Sequence, residues 1–328
     1  MLFNKLHNNS LSTIIITPFI VILLWMRLFT VDIANITALD NPAMPIWNAF
    51  ILPWLGHSQF IAALTSLLLV TLSGLSVNRM VTRHGLLYTQ SMITLLIFSL
   101  MVSAFLSVQK LNPVLFYLFF FTHGLERMLS QTSRAQVVNI CFDAGFLIGI
   151  GSLIYIKGIF IFPYIVVAMG ILRILNLQNI LGALAGLSLP FIFSFTYFFL
   201  FDKLTWFLQE IQENILANPG QYNHTLFSQL FMASIILLLA LALLSTVRSL
   251  PIRKVKVRFY FRIFMWMLLL TTGILLTPFF SMEMLPIAAV SASVLLASFF
   301  ERITNKKIKE ILFTLFVGLI IAGQFFLY

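Results

Sequence analysis

One cysteine, Cys141, stands in 328 residues. That excludes a disulfide framework within the chain, and cysteine usage says nothing of the redox compartment. Charge is nearly as scarce. Asp, Glu, Lys and Arg make up 9% of the chain, against about a quarter in a soluble domain. A Walker loop, a G-x-S-x-G elbow and a C-x-x-C pair are all missing, so no familiar phosphate, acyl-transfer or dithiol motif is present. The five His are scattered: His84 and His123 fall toward one side, His57 and His224 toward the other, and His7 in the N-terminal tail. A membrane oxygenase needs several at one depth around iron. His123 and Glu126, three apart, can share a helical face, but two ligands do not make a metal centre. No metal or cofactor is expected. There is also no long linker, low-complexity tract or alignable repeat, so residues 1–328 read as a single integral membrane domain.

What the chain has instead is apolar surface. It is 60% hydrophobic with 35 Phe, and its mean hydropathy is +1.02. The solvent for most of that surface must be lipid. Stretches of about 17 to 25 apolar residues can cross a bilayer as helices. Eleven are expected, near 12–31, 58–77, 86–108, 111–125, 138–156, 158–174, 180–201, 226–247, 260–280, 284–300 and 309–327. The fourth is short enough to be re-entrant. Only Lys157-Gly158 separates the fifth and sixth. The fold class is therefore an all-α, polytopic transmembrane bundle.

The charge distribution tests the count. Lys and Arg accumulate in cytoplasmic loops. With the N-terminus inside, sixteen of the 20 Lys and Arg fall on inside segments and six of the ten acids on outside ones. Eleven spans then leave the C-terminus outside. The first apolar stretch is long and lacks a small-residue cleavage pattern, so it reads as a retained helix. The net charge of +10 does not point to nucleic acid. Much of it lies in "RSLPIRKVKVRFYFR", 248–262, between two spans, where it would hold anionic lipid headgroups or dock a soluble partner.

Two outside loops are amphipathic. In "NPAMPIWNAFILPWLG", 41–56, Ile46, Trp47, Phe50, Ile51, Trp54 and Leu55 recur at helical spacing. This predicts a short interfacial helix ending near Pro53. In "DKLTWFLQEIQENIL", 202–216, Leu204, Phe207, Leu208, Ile211 and Ile215 share a face, Gln209, Glu210, Glu213 and Asn214 face water, and Asp202 is a candidate N-cap. Both helices could anchor the protein or rim an outward cavity.

Three groups of residues are candidate sites. Asp143 lies inside an apolar span, where ionisable groups are functional candidates by default. Its span also carries Gly145 and Gly149, a small-residue face about 160° around the helix from the acid. Gly182 and Gly186 in "LGALAGLSLPF" are the candidate partner of that face, with a kink expected near Pro190. Asp143 could pair with Arg83, Arg134 or Arg173, take part in proton or ion binding, or emerge among headgroups. Arg27 ends "VILLWMRLF" at the outer edge of the first span. It could snorkel to phosphate, or bind an anionic lipid carrier beside Asp32 and Asp40, one of which would serve as a base.

"LSVNRMVTRHGLLYTQSMI", "FDAGFLIGIGSLIYIKGIFIFPYI" and "GLSLPFIFSFTYFFLFDKL" resemble a family of polytopic inner-membrane proteins of Bacteroidota. The resemblance spans most of the first two-thirds of the chain. It implies a bacterial inner membrane with a periplasmic outer side, and no particular activity. More distantly, the first outer loop resembles the layout of GT-C glycosyltransferases, which act on polyprenyl-phosphate sugars. That resemblance implies catalytic roles for Asp32 and Asp40 and lipid-phosphate binding by Arg27, although the adjacent acidic pair common in that family is missing. The expected function is a GT-C-like protein, or a degenerate relative, handling a lipid-linked sugar at the outer face. The alternatives are a non-catalytic subunit or scaffold with membrane-protein partners in an envelope complex, and a transporter.

Overall fold

The computed structural model describes residues 11–30, 46–130, 136–216, 226–275 and 284–326. Asp32, Asp40, Arg134 and the first part of the 41–56 loop lie outside them. Helix is the only regular structure among the described residues. Twelve helices have ten residues or more: α1 (Leu11–Thr30), α2 (Gln59–Arg83), α3 (Ile93–Val102), α4 (Pro113–Leu129), α5 (Val137–Ile154), α6 (Phe162–Ile171), α7 (Leu177–Leu200), α8 (Leu204–Leu216), α9 (Leu226–Ser249), α10 (Val255–Leu275), α11 (Leu285–Arg302) and α12 (Lys306–Phe326). Seven of these regions are long and apolar enough to cross a membrane. The chain is a multi-pass membrane protein by that measure.

The expected span at 86–108 is not one helix. α3 keeps ten residues of it, about 15 Å at 1.5 Å per residue, half the hydrocarbon thickness. A separate turn follows at Leu106–Gln109. All ten residues of α3 are buried, between α11, α2 and α1. Broken backbone is tolerated at membrane depth when protein rather than lipid surrounds it. The break is closed by amides: Gln109 Nε2 and Gln324 Nε2 both donate to the Ser103 carbonyl, at 2.7 and 2.9 Å. Asn112 then caps α4 by accepting from the Leu115 N–H, with Pro113 in the first turn. The expected span at 158–174 is likewise divided, into a 3-10 helix Ile156–Ile161 and the ten-residue α6. The 3-10 segment winds around Tyr117, whose hydroxyl donates to the Gly158 carbonyl at 2.9 Å.

α11 is the central strut. Its "AAVSASVLLAS" run is fully buried, and small side chains let α3, α9 and α10 close around it. The tightest packing joins α5 and α7. A Cβ at Gly145 would overlap the Ala183 carbonyl, one at Gly186 the Phe142 carbonyl, and one at Gly149 would stand 2.6 Å from Leu187 O. The two small-residue faces meet backbone to backbone, as the sequence predicts. α5 is flanked on its other side by α4. By contrast, α7, α9 and α12 turn apolar side chains outward, among them Leu181, Phe193, Leu237 and Ile311.

The two amphipathic segments depart in detail from their expected forms. The first helix ends at Leu55, two residues past Pro53. A π-helical turn, Trp47–Ile51, runs into an α-helical turn, Leu52–Leu55. The Leu52 N–H bonds back five residues to Trp47 O, and the next residue, Pro53, has no N–H to give. Trp47 is buried edge-on against Phe116, while Trp54 is exposed. In α8, Phe207 is buried and stacked on Phe198, but so is Asn214, its amide donating to Glu210 O at 2.6 Å. Leu208 is exposed instead. Nor is Asp202 an N-cap. Its φ is 55°, and its N–H and that of Lys203 close the end of α7 on Phe199 O and Phe198 O. That is a Schellman closure, with Asp202 in the left-handed position. Lys203 supplies the first carbonyl of α8.

Candidate functional site

The basic loop residues meet at one end of the bundle. Gly85, at φ 61°, closes α2. The loop after it is pinned by Glu301, which accepts from the N–H groups of Tyr88 and Thr89 at 2.9 and 2.8 Å. Arg253 is buried against the same loop, donating to Leu86 O at 2.8 Å with its guanidinium 4.2 Å from the Tyr88 ring. Lys309 Nζ reaches Glu301 O. These bonds make residues 86–92 a fixed wall beside α2 and α4.

Two adjoining cavities, of about 510 and 430 Å³, are both lined by Arg79 and His123, and the first of them lies against that wall. The first adds Ser76, Asn78, Gln90 and Ser91, with Leu72 and Leu75 toward the outside. The second adds Arg83, Arg127, Glu126 and the aromatic Phe119 and Phe120. Helical spacing assembles this set. Ser76 and Arg79 are three apart on α2, as are His123 and Glu126 on α4, so each pair shares a face. Glu126 is buried. It accepts from Ser76 Oγ at 2.9 Å and from Arg79 Nη2 at 2.6 Å, while Arg79 Nε lies 2.5 Å from its other oxygen. His123 Nδ1 donates to Phe119 O at 2.8 Å. The Asn78 amide donates to Met92 Sδ at 3.3 Å. Its Oδ1 is buried with no hydrogen-bond partner among the described residues.

The electrostatics are positive. Arg79, Arg83 and Arg127 stand against Glu126 and the nearby Asp143. Arg83 is exposed and makes no ion pair among the described residues. Next to it, His84 lies with its ring 4.4 Å from that of Tyr260. Burial, and then the charge of Arg83, push the His84 pKa below its ordinary value, with Glu126 acting the other way.

The residues singled out from sequence are placed differently. Asp143 pairs with Arg127, Nε to Oδ2 at 2.9 Å, not with Arg83 or Arg173. α4 lies alongside α5, which brings Arg127 in the last turn of one to Asp143 in the second turn of the other. Both partners are well exposed, so the pair is worth at most about 1 kcal/mol. Arg27 is at the opposite end of the bundle. It donates to the Gln324 carbonyl, and its guanidinium lies 4.2 Å from the Phe325 ring. Those contacts tie α1 to α12. The structure therefore does not bring Arg27 to Asp143, and its relation to Asp32 and Asp40 falls outside the described residues. Ser76, Arg79 and Asn78 escaped the sequence reading, and Glu126 was read there only beside His123, as a pair too small to make a metal centre. The expected fourth span stops at 125, one residue short of the acid. The signal was there in the two i, i+3 polar pairs of "SVNR" and "HGLE".

Comparison with protein-family models, curated proteins and solved structures finds no match to this chain.

Proposed function

We propose that this protein crosses a bacterial inner membrane eleven times, with its basic end in the cytoplasm, and binds the phosphate of a membrane amphiphile in the cleft between α2 and α4. The membrane assignment rests on the resemblance to the Bacteroidota family. The count of eleven rests on the alternation of basic and acidic ends, with α3 and α6 completing their crossings through irregular backbone inside the bundle. One observation carries the binding reading: paired cavities with an arginine rim and the His123 imidazole, walled by leucines that are themselves exposed to the surroundings. Arginine forks suit phosphate oxygens, and exposed leucines suit acyl chains. Arg83 is the cation best placed to meet a headgroup.

The test is photo-crosslinking in nanodiscs with a diazirine-bearing phosphatidic acid. Crosslinks are expected at 72–92 and 119–127, and Arg83→Gln should reduce them several-fold while leaving adducts at 248–262 unchanged. The same pattern from a phosphatidylcholine probe would reject the reading. A transferase at the opposite end needs Asp32 and Asp40. Normal envelope glycan in an Asp32→Asn, Asp40→Asn strain would reject that alternative.

A further inference from the structure

Asp143 interrupts the apolar run of α5, where an ionisable group is rare. Its pair with Arg127 adds little stability, because both side chains are open to the surroundings, 39% and 57% exposed. What the pair does is geometric. A guanidinium has five N–H donors in a rigid fork. Arg127 gives Asp143 Oδ2 only the one on Nε, at 2.9 Å. Its two Nη groups have no hydrogen-bond partner among the described residues. Arg79 is spent differently, with Nε and Nη2 both on Glu126. Arg127 and Arg83 line the second cavity, and so does Leu147. Leu147 is four residues beyond Asp143 on α5, so the face of α5 that carries the acid also borders that cavity. Arg127 is therefore held from the α5 side through Nε, with its terminal fork unspent beside Arg83.

A long side chain loses rotamer freedom when it grips a ligand, and one already fixed loses less. We infer that Asp143 is a positioning residue: by holding Nε it presents the Arg127 fork to the phosphate, and Arg127 and Arg83 together make the clamp. This rests on the phosphate reading above. The charge of Asp143 acts the other way, since a carboxylate near a bound phosphate repels it. Substitution separates the two effects.

The experiment is titration of the diazirine-bearing phosphatidic acid in phosphatidylcholine nanodiscs, reading the concentration that gives half-maximal crosslinking within 72–92 and 119–127. Asp143→Leu removes the acceptor and should raise that concentration about threefold to tenfold, the effect of ordering one long side chain. Asp143→Asn keeps an oxygen for Nε and drops the charge, so it should bind as tightly as the unsubstituted protein or tighter. Arg127→Lys keeps the charge but not the fork and should weaken binding. In an Arg127→Gln background Asp143→Leu should add nothing further, because its effect passes through Arg127. Tighter binding in Asp143→Leu would make the acid a competitor for Arg127 and overturn the inference. So would an Asp143→Asn variant as weak as Asp143→Leu, unchanged binding in Arg127→Lys, or a full additional loss in the Arg127→Gln background. Each of these leaves the phosphate reading standing. The same crosslinks from a phosphatidylcholine probe at the same concentration overturn the phosphate reading itself.

Discussion

Asp202 shows how a residue type can be read correctly as a helix-boundary signal and still be assigned to the wrong helix. An aspartate two residues ahead of an amphipathic run looks like an N-cap. Here it holds a left-handed conformation, φ 55°, that closes the helix before it. Non-glycine residues bear a steric cost of roughly 1 kcal/mol there. Asp202→Gly is therefore expected to raise stability by up to about 1 kcal/mol, read as a higher unfolding midpoint in detergent. A lower midpoint would contradict the assigned closure. His84 makes a second prediction at this scale. Its folded pKa lies below its unfolded value of about 6.5. Between those two values the unfolded chain binds a proton that the folded chain refuses. The stability held by neutral His84 is therefore complete above about pH 6.5 and lost as pH falls toward the folded pKa. Thermal midpoints measured from pH 7.5 to 5.5 should fall less in His84→Phe, which keeps a ring against Tyr260, than in the unsubstituted protein. Parallel slopes would contradict this.

At the scale of elements, the α5–α7 contact was legible because its cause is local and steric: two G-x-x-x-G faces and no other way to bring backbones so close. Gly145→Ala places a methyl into the Ala183 carbonyl, and no side-chain rotation relieves a clash with backbone. A loss of about 1–3 kcal/mol is expected. Gly318→Ala in α12 meets nothing within 4 Å and should be neutral or stabilising by up to about 1 kcal/mol. Detergent thermal stability of the two variants separates them, and similar behaviour would refute the close approach. The breaks at 103–105 and 155–161 were not legible. Hydropathy averages across them, and the amide that satisfies Ser103 comes from Gln324, 221 residues away. The cleft was hidden for a related reason. Arg79 and Glu126 are each unremarkable as residues at span ends, and only the packing of α2 on α4 joins them.

Taken whole, the molecule sorts its charge by end. Contacts from Leu86 to Arg253, from Tyr88 to Glu301, from Tyr260 to Leu129 and from Arg302 to Ser245 gather the basic segments at one end. Arg27, Gln324 and Ser103 meet at the other. The sequence anticipated this separation from loop charge alone. It did not anticipate that the same end would hold a walled cleft, since loop charge reports which side a residue is on and not what it faces. All of the proposed chemistry depends on the sidedness. It is tested most directly by single cysteines in a Cys141→Ser background: Lys307→Cys at the basic end and Lys203→Cys at the other, both exposed positions. A membrane-impermeant maleimide applied to spheroplasts with intact inner membranes should label position 203 and leave 307 unlabelled until the cells are permeabilised. Labelling of 307 in intact spheroplasts, or equal labelling of both, would contradict the account.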